Sequence, residues 1–192
     1  EPNRDDLMSD NEVKAEKLHD FEAGIEKQFG LLSVTANLYY MYYVNQLVLN
    51  GQLNNVGAFI RTNSGESYRR GVEIGLLAKL SKQWEVNGNL SLSQNRNIDF
   101  HIKNNGNLQN LGDTEISFSP NIIANIGLKF NPVKSFQFAL TNQYVGKQYL
   151  DNTDNKNLRL KDYFLTDFNA QYQFTIANND IALKLLVNNL FN

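Results

Sequence analysis

The residues in this chain that could carry chemistry are few and scattered. His19 and His101 are its two histidines, and it has no cysteine. A metal centre needs several His, Cys, Asp or Glu side chains converging on one point. His101 lies in Phe100-His101-Ile102-Lys103-Asn104, within a long loop where contact with a haem or a metal is conceivable. A solvated loop histidine is the simpler reading, and the same holds for His19 beside Asp20. The run Asp151-Asn152-Thr153-Asp154-Asn155-Lys156-Asn157 is rich in the hard oxygens that calcium prefers. Its spacing is not that of a calcium loop, it lacks the central glycine, and Lys156 intrudes, so a polar turn accounts for it better. A Ser-His-Asp site would have to recruit His19 or His101, and no Gly-x-Ser-x-Gly elbow is present. Phosphate-loop and dinucleotide fingerprints are absent from the sequence as well. The sequence therefore assigns no catalytic residue, no metal ligand set and no cofactor. Its candidate ligand contacts are His101, Tyr149, Asp151, Asn152 and Asp154.

The elements that must position these residues are strands. From Leu32 to Tyr42, alternate residues read Leu32, Val34, Ala36, Leu38, Tyr40, Tyr42, and those between them are mostly polar. That period of two marks a two-sided β-strand. The pattern recurs eight times, at about 18–29, 31–49, 67–81, 84–100, 118–131, 135–150, 163–176 and from 180 onward. Turns are expected at Phe29-Gly30-Leu31, Ser81-Lys82-Gln83, Asn131-Pro132-Val133-Lys134 and Ala177-Asn178-Asn179-Asp180. The alternate connections, about 50–66, 101–117 and 151–162, are long. The fold expected is all-β, an antiparallel up-and-down meander with short turns at one end and long loops at the other. Charged residues Glu73, Lys79, Glu85 and Lys129 fall on the polar face. Aromatic residues gather near strand ends: Phe29, Trp84, Phe130 and Phe136 by the short turns, Tyr40 and Tyr42 toward the long loops.

These strands are longer than the usual five or six residues. A long strand with one uniformly apolar face suits a barrel wall in a bilayer. The mean hydropathy of −0.43 argues against a bundle of membrane helices but not against such a barrel, whose polar face and loops dilute the average. The formal net charge of −2 over 192 residues offers no basic field for nucleic acid. Residues 1–6 are polar and carry no signal-peptide core.

Several stretches go further and resemble one family. Glu1-Pro2-Asn3-Arg4-Asp5-Asp6, followed by Ala15-Glu16-Lys17-Leu18-His19-Asp20-Phe21-Glu22-Ala23-Gly24, resembles paired runs in TonB-dependent outer-membrane receptors. The run from Asn37 to Gly51 is similar to a "NLYYMxYxDQLVLTG" stretch of that family, and Ser67-Tyr68-Arg69-Arg70-Gly71-Val72-Glu73 to its "SYRxGxE". Gln148-Tyr149-Leu150-Asp151-Asn152-Thr153 and Asn188-Asn189-Leu190-Phe191-Asn192 complete five resemblances in chain order, in wording close to receptors of Bacteroidetes-type bacteria.

The resemblance implies that residues 1–192 are a single barrel segment, the C-terminal part of a transmembrane barrel of about 22 strands. The plug domain, the TonB box and the last strand would lie outside it. It implies an integral outer-membrane location, uptake of a bulky ligand such as an iron–siderophore complex, and no enzymatic activity. The partners implied are outer-membrane lipid, the protein's own plug and remaining strands, TonB through an N-terminal region, and the iron chelate. A glycan-importing receptor is a neighbouring alternative. Periodicity alone cannot tell an apolar face turned outward from one turned inward. A soluble lipocalin-like or small eight-stranded ligand-binding barrel therefore stays open, and a barrel enzyme stands behind it.

Overall fold

A computed structural model describes residues 13–53, 57, 59–63, 65–104 and 107–191. In chain order the strands are β1 (Lys17–Phe29), β2 (Leu32–Val44), β3 (Leu47–Leu53), β4 (Phe59–Asn63), β5 (Glu66–Lys79), β6 (Trp84–Ile98), β7 (His101–Asn104), β8 (Asn107–Asn110), β9 (Thr114–Glu115), β10 (Ile122–Val133), β11 (Phe136–Val145), β12 (Gln148–Tyr149), β13 (Arg159–Leu160), β14 (Tyr163–Ile176) and β15 (Asn179–Val187). Eight of them form one antiparallel meander in the order β1-β2-β5-β6-β10-β11-β14-β15, with β9 laid beside β6. These eight are the eight expected from the alternation. They run from 9 to 15 residues, against the roughly 9–11 that a tilted strand needs to cross a bilayer.

Cross-strand register aligns the apolar faces into continuous rows. One row reads Ile25, Ala36, Ile74, Leu90, Ala124, Tyr144, Phe164; another reads Phe29, Leu32, Ala78, Val86, Leu128, Leu140, Phe168, Val187. The opposite face carries rows such as Gly24, Asn37, Glu73, Ser91 and Glu26, Thr35, Gly75, Asn89, Asn125, Gln143. The apolar rows are not packed against another layer. Ile25 is 67% exposed, Leu38 57% and Leu185 57%. Among the described residues no pairing joins β1 to β15, so the sheet is open. The self-closed eight-stranded barrel and the lipocalin-like interior, both allowed by periodicity, are not what the chain forms.

At the short-turn end the apolar face carries a chain of aromatic rings. Trp84 stacks on Phe130 at 4.1 Å, Phe130 approaches Phe138 at 6.4 Å, Phe138 approaches Phe136 at 6.2 Å, Phe136 stacks on Tyr172 at 4.4 Å, and Tyr172 on Phe174 at 5.2 Å. Each stacked pair of this kind is worth about 0.5–1.5 kcal/mol beyond the area it buries. The polar pair Asn142 and Thr166, which register places on this same face, is satisfied internally: Thr166 Oγ1 donates to Asn142 Oδ1 at 2.9 Å.

Four expectations need correction. The strand from 31 to 49 breaks after Val44, because Asn45 takes a left-handed φ of 56° and the chain leaves the sheet as β3. Residues 118–121 do not belong to the fifth main strand: Phe118 sits at φ 51° and Pro120 has no N–H to give a ladder. The strand from 135 to 150 ends at Val145, and Gln148–Tyr149 pairs instead with Arg159–Leu160. The turn placed at 131–134 lies at 134–135, since Val133 pairs with Phe136 and Pro132 falls inside a register shift between Phe130 and Val133, a bulge that tolerates proline. The long connections are also structured, holding the ladders β3-β4, β7-β8 and β12-β13. Residues 1–6, which carry the first resemblance, lie outside the described residues.

Candidate functional site at the long-connection rim

The buried core of the described residues is not under the sheet but at its long-connection end. The buried hydrophobic residues are Val48, Phe100, Ile116, Val145 and Tyr149. Buried polar residues accompany them there, among them Ser67, Asn95, Asn97, Thr114, Ser119 and Asn152. Most groups of this polar layer find partners, while among the described residues Asn97 Oδ1 and Asn152 Nδ2 are buried without one. Asn97, fully buried at the end of β6, donates from Nδ2 to Thr114 Oγ1 at 3.2 Å and to Asn152 Oδ1 at 3.4 Å. Asn152 Oδ1 also accepts the Ser117 amide at 2.8 Å. Ser67 Oγ donates to Gln46 Oε1.

The five ligand-contact candidates divide in this frame. Tyr149, Asn152 and Asp154 come together. The Tyr149 carbonyl accepts the Phe118 amide at 2.9 Å, and Asp154 Oδ1 accepts the Glu115 amide at 2.7 Å. Lys147 Nζ sits 5.3 Å from the centre of the Tyr149 ring. Asp151 lies beside this group and caps its own turn, accepting from the Thr153 amide at 3.0 Å and the Thr153 hydroxyl at 2.8 Å. His101 stands apart and exposed on β7, with its Nδ1 2.6 Å from the Asp99 carbonyl oxygen. Among the described residues neither His101 nor His19 bonds a Ser or Asp side chain, the contact a barrel enzyme would require. Among the described residues no group of three or more His, Asp and Glu could hold a metal ion.

A charged patch flanks this group. Arg96 reaches Glu115 at 3.9 Å and Asp154 at 3.8 Å, and Lys147 reaches Glu115 at 3.6 Å. Glu115 is the least exposed of the four side chains, at 12%. Two cations around one shielded carboxylate hold β9 and the 150–158 segment against the end of β6.

The polar face just below the rim opens into a hollow of about 370 Å³. Tyr39, Arg69, Glu73, Phe118 and Ser119 line it. Arg69 Nη1 donates to Ser119 Oγ at 2.9 Å, which fixes the guanidinium against the loop. Phe118 is 55% exposed although its backbone is left-handed, a conformation that is uncommon and costly for a bulky residue. Its neighbours enforce it: Phe118 N is bonded to Tyr149 O, and Ser119 Oγ donates to the Ser117 carbonyl at 3.0 Å. Strain held by surrounding bonds in a cleft is a pointer to function. No sequence pattern marks these lining residues as ligand contacts. The parity of Arg69 on its strand places it on the polar face, but nothing in Phe118-Ser119-Pro120 announces the left-handed turn.

A family model for the TonB dependent receptor-like β-barrel matches residues 2–190. The chain belongs to that family. Its fold is also that of solved receptor barrels. The siderophore receptor PiuA from Acinetobacter baumannii matches with a TM-score of 0.69 at 21% identity, over 90% of this chain and 24% of that one. The copper transporter OprC matches at 0.70 and 18%, over 94% and 26%. The ferric yersiniabactin uptake receptor FyuA from Yersinia pestis matches at 0.68 and 18%, over 92% and 25%. The chain thus spans about a quarter of the length of each of these receptors. No curated protein matches it.

Proposed function

We propose that this chain is part of the wall and external loops of an integral outer-membrane receptor that takes up a bulky ligand, an iron chelate. The observation that carries the reading is the sorting of the two faces. Apolar rows stand exposed on one side with an aromatic row at their short-turn end, and amides, hydroxyls and charges occupy the other. Outer-membrane barrels divide lipid from lumen in this way. The polar face is then the lumen, the aliphatic rows face lipid, and the rim with its hollow faces the incoming ligand.

Within that reading Arg69 and Phe118 offer a cation and a ring to an anionic, aromatic chelate, with exposed His101 and half-buried Asp154 as further contacts. Tyr149, Asp151 and Asn152 hold the surface that presents them. The wall would be completed by the protein's remaining strands and filled by its plug domain. Energy would come through TonB acting on an N-terminal region rather than from any residue of this chain. The names of PiuA and FyuA support an iron chelate, while that of OprC keeps a metal of another kind in view.

Deletion of the gene for the intact protein tests this. Loss of growth on iron supplied as siderophore complexes, restored by the wild-type gene, is the expected result. Unchanged growth on every iron chelate together with lost growth on a glycan would overturn the ligand class and favour the glycan importer.

A further inference from the structure

Two arginines fall on the apolar face by register: Arg96 at the rim, paired with Glu115 and Asp154, and Arg70 below it, which the rows do not explain. Register sets Arg70 opposite Tyr40 on one side and Gln94 on the other, so it belongs to the same face as Leu38, Val72 and Leu92. It stands one step nearer the long-connection rim than the row Ala23, Leu38, Val72, Leu92, Ile122. β5 is an interior strand, flanked by β2 and β6, so no further strand of the wall can cover this position. The side chain is held in place. Arg70 Nε and Nη2 donate to Gln94 Oε1 at 2.9 and 2.6 Å, and the guanidinium lies 5.3 Å over the Tyr68 ring, itself stacked with Tyr40 at 6.4 Å. Among the described residues no carboxylate pairs with it, in contrast to Arg96.

Directly beside it the apolar face is grooved. A shallow depression of about 800 Å³ is lined by Phe21, Leu38, Val72, Leu92 and Ile122 and bounded by Arg70. Charge on a lipid-facing surface is tolerated only near the interface, where it meets head groups. A fixed, unpaired cation above an apolar groove complements an anionic lipid with its head at Arg70 and its chains along Leu38 and Leu92. Arginine presents a planar set of donors to phosphate, and here only part of that set is used by Gln94.

We propose that Arg70, with Gln94 and Tyr68, seats the phosphate of an outer-leaflet glycolipid of the lipid A type, whose acyl chains lie in the adjoining groove. The proposal rests on the outer-membrane reading above, which places the long-connection end at the outer leaflet.

The test uses the intact protein, purified from membranes, with bound lipid A measured by native mass spectrometry and titration in a zwitterionic detergent. Wild type is expected to bind phosphorylated lipid A and to lose about fivefold in affinity for the dephosphorylated form. R70Q should show the same loss, and R70K should recover most of it. Equal binding of the two lipids by wild type, or an R70Q protein that still discriminates between them, overturns the proposal. If R70Q fails to give the heat-resistant folded band, Q94L takes its place. It keeps the cation but removes its anchor, and undiminished phosphate discrimination there likewise overturns the proposal. Membrane fractionation separates this failure from that of the parent reading. A protein absent from the outer membrane defeats the receptor reading, whereas one present there without phosphate discrimination defeats only the lipid site.

Discussion

The Asn152 side chain ties the third long connection to the second: its Oδ1 accepts the Ser117 amide at 2.8 Å while Asn152 itself is 2% exposed. The strained turn at Phe118 begins one residue later, so this bond sets the floor on which the hollow is built.

Asn152→Ala is therefore expected to loosen both connections. It leaves the half-buried Ser117 amide without its acceptor, which costs about 1 kcal/mol, and removes an acceptor of the buried Asn97 Nδ2. Limited proteolysis of the intact protein should show faster cleavage within 151–158, and amide exchange at Ser117 should accelerate, while cleavage at the short turns stays unchanged. Unaltered protection at Ser117 would show that the bond does not hold the loop.

The left-handed backbone of Phe118 gives a two-sided expectation. Phe118→Gly relieves a conformation that costs about 1–2 kcal/mol for an L side chain and gives up little packing, since the ring is 55% exposed. The thermal midpoint of the intact protein should hold or rise. Affinity for an iron chelate, the ligand class proposed above, should fall when measured by titration. A variant that loses stability and keeps its affinity would assign the ring to packing instead.

How far the fold was legible follows from what each element depends on. The main strands declare themselves because each has one face toward an apolar surrounding and one toward a polar one, so Leu32 to Tyr42 alternates and its neighbours must match it in register. Two of the three hairpins described in the long connections escape that logic. β7, β8, β12 and β13 are two to four residues long, too short for a period to emerge. Pro132 misled in another way, because a proline that looks like a turn former can also sit in a bulge before the turn. The rim depends on pairs far apart in sequence, such as Asn97 with Asn152 and Arg69 with Ser119. No local pattern links those partners. Asn152 and Tyr149 stood out from the sequence, yet their roles as buried anchors come only from the folded loops.

Trp84 is the single tryptophan of the chain and stacks on Phe130 at the short-turn end. Interfacial aromatics sit at head-group level rather than at the bilayer centre. In liposomes, the fluorescence lost on replacing Trp84 with Phe should be the component that lipids brominated near the head group quench most strongly. Stronger quenching by bromine near the chain ends would move the aromatic row to the middle of the membrane and invalidate the assigned boundary.

Gly71 faces Tyr39 in register, and a Cβ added there would stand 2.6 Å from the Tyr39 hydroxyl and 2.5 Å from the Leu92 carbonyl oxygen. The phenol can swing away, but the backbone of β6 cannot. Gly71→Ala is thus expected to cost about 1–3 kcal/mol of stability through overpacking. Tyr39→Ala should remove only the part due to the phenol, leaving a residual penalty when the two changes are combined. The measurement is a double-mutant cycle by denaturant unfolding of the intact protein in detergent. Full rescue would mean that the Leu92 carbonyl yields, and that the tight approach of β5 to β6 at this level is set by the tyrosine alone.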